Sequence, residues 1–237
     1  MDPVAGQSGV QPAPVSPPMS ALGSLLGIFV KPRATYESLA TRPRILAPLV
    51  LVVLAQIALG VVLVQSGVIR NDAIAQMETK GTPPEQIAQA EQVFASPMMY
   101  VFGVLGPIVA IGFVLLIGAA LLYFFGNLML GARVLYGHYV CVAAYSTVVG
   151  LVDQGVRVGL GVSRGTLHVM LGLGAFLGDS SGFGVRILDS LTNPLLLWSA
   201  GIEALGVSIF ARKGFGFGVL AVLPGFILLV LLSSIQQ

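Results

Sequence analysis

Four side chains stand in surroundings where an ionisable or polar group is costly, and they are the first candidates for chemistry: Glu203, Asp153, Arg157 and Ser146. Glu203 lies midway along the apolar run from Pro194 to Phe210. A lone carboxylate at such a depth in hydrocarbon must be protonated, paired or put to use. It could couple to a proton or touch a ligand. It could equally fasten helices together through Ser199, Ser208 or a neighbouring helix. Asp153 and Arg157 are four apart, the spacing of an intrahelical ion pair that lowers the cost of bringing both into the headgroup region. Ser146, Gly150, Asp153 and Arg157 fall at helical spacing, so one small and polar face should turn into a bundle. A sharper arrangement would be a polar pocket of Asp153, Arg157 and Glu203. It requires their two helices to face each other at matching depth, although Asp153 lies near a span end and Glu203 nearer the middle.

Other chemistries are weaker. Gly161-Val162-Ser163-Arg164-Gly165 fits the G-x-S-x-G pattern of a nucleophile elbow, which needs a strand before it, a helix after it and an acid followed by a histidine downstream. Here the only later histidine is His168, and both later aspartates follow it. His138 and His168 have no carboxylate or cysteine at metal spacing, so no metal or other cofactor is expected. The single cysteine, Cys141, sits in an apolar run and reads as packing. Lys31, Arg33, Arg42 and Arg44 gather before the first long apolar run. They would attract anionic lipid at roughly 1 kcal/mol each, and they also serve as topology determinants. Trp198, Tyr100 and Tyr139 read as packing or interfacial aromatics.

The elements that must hold these residues follow from composition. Of 237 residues, 56% are hydrophobic and 9% charged, and the mean hydropathy is +0.92. Uncharged runs longer than 20 residues place such a chain in a bilayer. No strict two-residue alternation supports a barrel, so the expected fold is all-α, a polytopic transmembrane bundle. A net charge of +2 without a basic stripe excludes nucleic acid as a partner. Residues 1–19 read as a disordered Pro-rich tail rather than a cleaved signal. Residues 20–44 read as an amphipathic juxtamembrane segment along the membrane surface. Spans are expected over about 45–64, 100–125, 139–160, 194–210 and 215–235. Between the first two, 65–96 reads as a helical hairpin broken at Gly81, with Thr82 as N-cap and Pro83 opening the second helix. Leu167 to Gly178 is short for a span. It is read as re-entrant or interfacial, with a six-span bundle as the alternative if it crosses.

Counting Lys and Arg in alternate connections puts Lys31, Arg33, Arg42, Arg44, Arg133, Arg212 and Lys213 on one side, crowded at span ends. The positive-inside rule makes that side cytoplasmic, with the N-terminus inside and the C-terminus outside.

Phe29 and Pro32, then Tyr36 and Leu39, Pro43 and Pro48 entering span one, and the late Asn193-Pro194 to Trp198-Ser199 segment ending at Gly206 form an order of features. It resembles the Yip domain family of five-span membrane proteins, over about residues 20 to 235. The resemblance implies a compact five-helix bundle with a cytosolic N-terminus. Eukaryotic relatives are associated with Rab-type GTPases and vesicle traffic. This chain has about 44 residues before span one, shorter than the cytoplasmic region of those relatives. Its Ala, Gly and Val usage looks bacterial, which points to a bacterial cytoplasmic membrane. The functional expectation is a non-catalytic organiser or adaptor of membrane proteins or lipids, with the bilayer, anionic lipids, other membrane proteins or copies of itself as partners. The alternative is a transporter or channel component using Glu203 and Asp153/Arg157. A membrane-embedded enzyme is the remote one.

Overall fold

A computed structural model describes residues 19–177 and 182–235. The expected Pro-rich tail lies outside the described residues except for Met19. The described residues form helices and turns with no strand. Five helices among them are long and apolar enough to span a membrane. The chain is an all-α, multi-pass integral membrane protein.

Two short helices come first, α1 (Ala21–Val30) and α2 (Pro32–Thr41). Ser20 caps α1 by accepting from the Gly23 N–H at 3.0 Å, and Pro32 at the first turn of α2 forces the break between them. The segment that reads as one surface-lying stretch is therefore a helical pair, and it packs into the bundle. Ile28, Tyr36 and Leu39 are essentially inaccessible. Phe29 meets Trp198 at 5.8 Å between ring centroids. The opposite face of α1 leaves Leu22, Leu26 and Val30 exposed, an apolar stripe suited to lipid.

Span α3 (Leu46–Gln65) leads to the hairpin α4 (Val68–Thr79) and α5 (Pro84–Ala95). The hairpin turns at Gly81, whose φ of 69° is left-handed. Pro83 takes the cap position, one residue later in the chain than the capping pattern predicts, and no side chain caps α5. Long helix α6 (Met98–Met129) carries π segments at Val101–Leu105 and Phe124–Met129. The turn back is closed by Asn127, whose amide donates to the Val134 carbonyl at 2.7 Å and accepts from the Tyr139 hydroxyl at 2.9 Å.

Span α7 (Tyr136–Arg164) is the central column. Of its most apolar window 56% is buried, against 17–28% for the other four spans. It is also the least apolar of the five, because a helix surrounded by protein need not satisfy lipid on every side. After it, Leu167–Leu177 holds one 3₁₀ turn, Leu173–Phe176, so those residues form no sixth span. Amphipathic α8 (Phe183–Thr192) follows, then spans α9 (Pro194–Ala211) and α10 (Phe215–Ile235). Arg212, at φ 53°, makes the tight turn between these two. The turns 130–135 and 212–214 thus mark one end of the bundle, and 66–97, 165–177 and α8 mark the other.

Candidate functional site

At the second end, polar side chains form a knot whose aspartates are paired, while the Nε of Arg186 at its cavity is buried without a partner among the described residues. Asp153 accepts from Arg157 Nε at 2.9 Å and from Asn193 Nδ2 at 2.6 Å. Arg157 also donates to the Val169 carbonyl at 2.6 Å. Its other nitrogen lies 4.0 Å from Asp189. Asp189 in turn accepts from the backbone N–H of Gly172 at 2.6 Å. Asn193 is fully buried and caps α9 by accepting from the Leu195 N–H at 3.0 Å. One aspartate–arginine pair on α7 thereby fixes the loop after α7, helix α8 and the start of α9. The hairpin is attached to the same loop. Asp72 of α4 accepts from Thr166 Oγ1 at 3.1 Å and lies 3.5 Å from His168.

Nearer the middle of the bilayer, α7 and α9 meet along a second polar seam. Ser199 donates to the Ser146 carbonyl at 3.0 Å, and Ser146 donates to the Ala143 carbonyl at 3.0 Å. Glu203, one turn on from Ser199, has Ser146 facing its carboxyl. Gly206 lets the Tyr36 ring lie directly on α9. A Cβ there would meet Tyr36 at 2.7 Å and Val142 at 2.9 Å. The Tyr36 hydroxyl and that of neighbouring Tyr145 are buried and have no hydrogen-bond partner. Burial first, and then the nearby Glu203 carboxylate, hold the Tyr36 phenol well above its ordinary range.

Glu203 is not sealed in this seam. It lines a cleft of about 450 Å³ between α6, α7, α9 and α10. Most of the walls are aliphatic, and Ser146, Thr147, Ser199 and Glu203 form a polar patch on one side. Val114, Ile117, Leu228 and Leu232 line the cleft and are also exposed on the bundle surface. Its mouth therefore opens sideways, toward lipid. A smaller cavity of about 190 Å³ at the knot is lined by Asp153, Arg157, Arg186 and Asp189. Both cavities touch Leu196, Leu229 and Ser233.

The candidate residues thus divide into two sites. Asp153 joins Arg157 and Ser146 joins Glu203, while Asp153 and Glu203 lie in adjoining cavities rather than one pocket. Of the basic cluster, Arg33 pairs with Glu37 at 3.0 Å on the surface, and Arg44 donates to the Met19 carbonyl at 3.0 Å. Lys31 and Arg42 are exposed. Ser163, in the elbow-like motif, sits in the last turn of α7 and donates to the Leu160 carbonyl at 2.8 Å. Gly165 is the left-handed cap of that helix, so the motif is a helix end with no strand before it. His138 packs edge-on against Phe210 at 5.1 Å. Among the described residues no three His, Cys, Asp or Glu side chains gather to hold a metal.

Two polar residues escaped the sequence reading. Gln56 of α3 and Gln154 of α7 exchange amide hydrogen bonds at 2.8 and 3.0 Å. The signal was present, since Gln56 is an amide midway along a 20-residue span, but counting only charges passes over it. Asn193 was visible only as part of the Asn-Pro pair that opens α9.

A family model described as Yip1 domain matches residues 26–235. No curated protein and no solved structure matches the chain.

Proposed function

Starting from the fact that the chain belongs to the Yip1 domain family, we propose that it is an organiser or adaptor of membrane proteins or lipids, without catalytic activity of its own. The observation that carries this reading is the contrast between a bundle whose charged groups clamp its own loops and a hairpin that leaves its outer helix uncovered. Asp153, Arg157, Asn193 and Asp189 are spent on one another and on backbone. By contrast, α5 has no buried residue and presents Val93 to solvent, which is a surface for another protein. Lys31 and Arg42, exposed at the opposite end, suit anionic headgroups. In this reading the N-terminus is cytoplasmic, the C-terminus is outside, and the address is a bacterial inner membrane.

The test is extraction of the tagged protein from its native membrane into polymer nanodiscs, with mass spectrometry of what accompanies it in fixed proportion. A stoichiometric partner protein lost on Val93→Glu, with the bundle intact, supports an adaptor. Deleting 20–44 is no control, because Tyr36 and Ile28 belong to the core. Recovery of the protein with bulk lipid alone removes the proposal's main expectation.

A transporter remains the second reading on one observation: the cavities holding Asp153 and Glu203 adjoin at Leu196, Leu229 and Ser233. Ion or solute flux into vesicles, abolished by Glu203→Gln, would establish it.

A further inference from the structure

The geometry points to the cleft between α6, α7, α9 and α10 as a binding site for a neutral membrane amphiphile whose head donates a hydrogen bond, a long-chain alcohol in chemical class. This deepens the lipid side of the function proposed above, and the cleft is its own warrant.

The size is right for a ligand, since small-molecule sites run from about 300 to 1,000 Å³ and are mostly apolar with a few convergent polar groups. The walls supply that composition, with aliphatic side chains such as Leu115, Leu122 and Val222 around the patch of Ser146, Ser199 and Glu203. Hydrogen-bond direction then selects the head. The hydroxyl protons of Ser199 and Ser146 already go to backbone carbonyls, so each oxygen keeps lone pairs to accept with, and the Glu203 carboxyl adds an acceptor oxygen whether protonated or ionised. A patch of acceptors in hydrocarbon calls for a donor. The position selects the rest. Glu203 lies halfway along an 18-residue span, so its partner must carry a head that can sit at mid-bilayer. A phosphate-headed lipid would have to drag its charge to that depth, whereas an alcohol need only exchange one weak polar contact for a better one. Entry is lateral, between exposed Val114 and Ile117 on α6 and Leu228 and Leu232 on α10.

The experiment reconstitutes the full chain into phosphatidylcholine vesicles carrying a trace of a long-chain alcohol with a diazirine near its head. Crosslinks are mapped by peptide mass spectrometry. The matching methyl ether, which has lost only the donor, and a diazirine phosphatidylcholine serve as comparators. The alcohol should label peptides of α7 and α9 around Ser146 and Glu203, and the ether should do so about five- to ten-fold less, the equivalent of one net hydrogen bond. Glu203→Leu should lower alcohol labelling to the ether's level. Gly118→Phe, at a cleft position where a Cβ meets nothing within 4 Å, should block both probes without disturbing the bundle. Equal labelling by alcohol and ether, or labelling unchanged in both variants, would show ordinary annular lipid and overturn the proposal. Preferential labelling by the phosphatidylcholine probe would overturn the choice of head. No partner protein is present in these vesicles, so failure here leaves the adaptor reading standing, and absence of a co-purified partner leaves this one standing.

Discussion

The polar knot at the α4–α5 end and the polar seam beside Glu203 use the same helix, α7, in opposite ways. In the knot every carboxylate is consumed: Asp153 by Arg157 and Asn193, Asp189 by backbone N–H groups. In the seam the account does not close. Two tyrosine hydroxyls are buried without partners, and the Glu203 carboxyl opens onto a cleft. A buried polar group that is fully paired rigidifies a fold, and one that is left open is either a cost or a place kept for something else. Stability should therefore depend on the knot, and binding on the seam.

The hardest test of that division is Asp153→Ala. It takes the shared carboxylate from Arg157 and Asn193, and breaking a buried, hydrogen-bonded pair by removing one partner costs up to about 3–5 kcal/mol. SDS-titrated unfolding in mixed micelles should show a loss of that order, with residues 165–177 becoming more sensitive to protease. A midpoint equal to wild type would mean the knot clamps nothing.

A smaller effect is expected at Gly206. A methyl there collides with the Tyr36 ring and Val142, and overpacking of this kind costs about 1–3 kcal/mol. The chain carries its own reporter for the outcome. Cys141 is its only cysteine, is buried, and lies 4.0 Å from the Arg44 carbonyl where α2 leads into α3. Gly206→Ala should speed maleimide labelling of Cys141 by lifting α2 from the bundle. Unchanged labelling would place α2 outside the cooperative core.

The Gln56–Gln154 pair lies between these extremes and the seam. Interhelical side-chain hydrogen bonds in membranes average about 0.6 and reach about 1.7 kcal/mol. Gln56→Leu should cost an amount in that range, and the double replacement with Gln154→Leu should recover most of it. A double variant worse than either single one would show that the amides do more than hold α3 to α7.

Much of this organisation is written plainly in the chain. Five spans follow from runs of residues that only a bilayer can accommodate, and α7 declares its central place through Ser146, Gly150 and Asp153 on one face. The Asp153–Arg157 pair follows from a separation of four residues. What joins them to Asn193 and Asp189 does not, because residues 165–177 have no period to read and their contacts are set by how they fold back on α7. The burial of Tyr36 is hidden for a related reason. An amphipathic helix has the same pattern whether its apolar face meets lipid or protein, and only the gap above Gly206 decides between them. Glu203 was conspicuous by depth alone, while the cleft beside it arises from the packing of four helices and has no trace in any one of them.

The smallest expected change in stability is the one that separates the two regions most sharply. Tyr36→Phe removes a buried hydroxyl that has no partner, and deleting an unmade hydrogen bond is close to neutral. Glu203→Leu removes a carboxyl from a mostly aliphatic cleft, and replacing a polar group held by no charged partner with an apolar one of similar size should leave the unfolding midpoint unchanged or slightly raised, by less than about 1 kcal/mol. If Glu203 were instead a fastener between α7 and α9, the same substitution would destabilise the bundle as Gln56→Leu does. A neutral Glu203→Leu that lowers alcohol labelling to the ether's level, beside an Asp153→Ala that unfolds more easily yet still labels when folded, would assign structure to one end of α7 and binding to its middle. A destabilised Glu203→Leu would erase that distinction and make the seam a second knot.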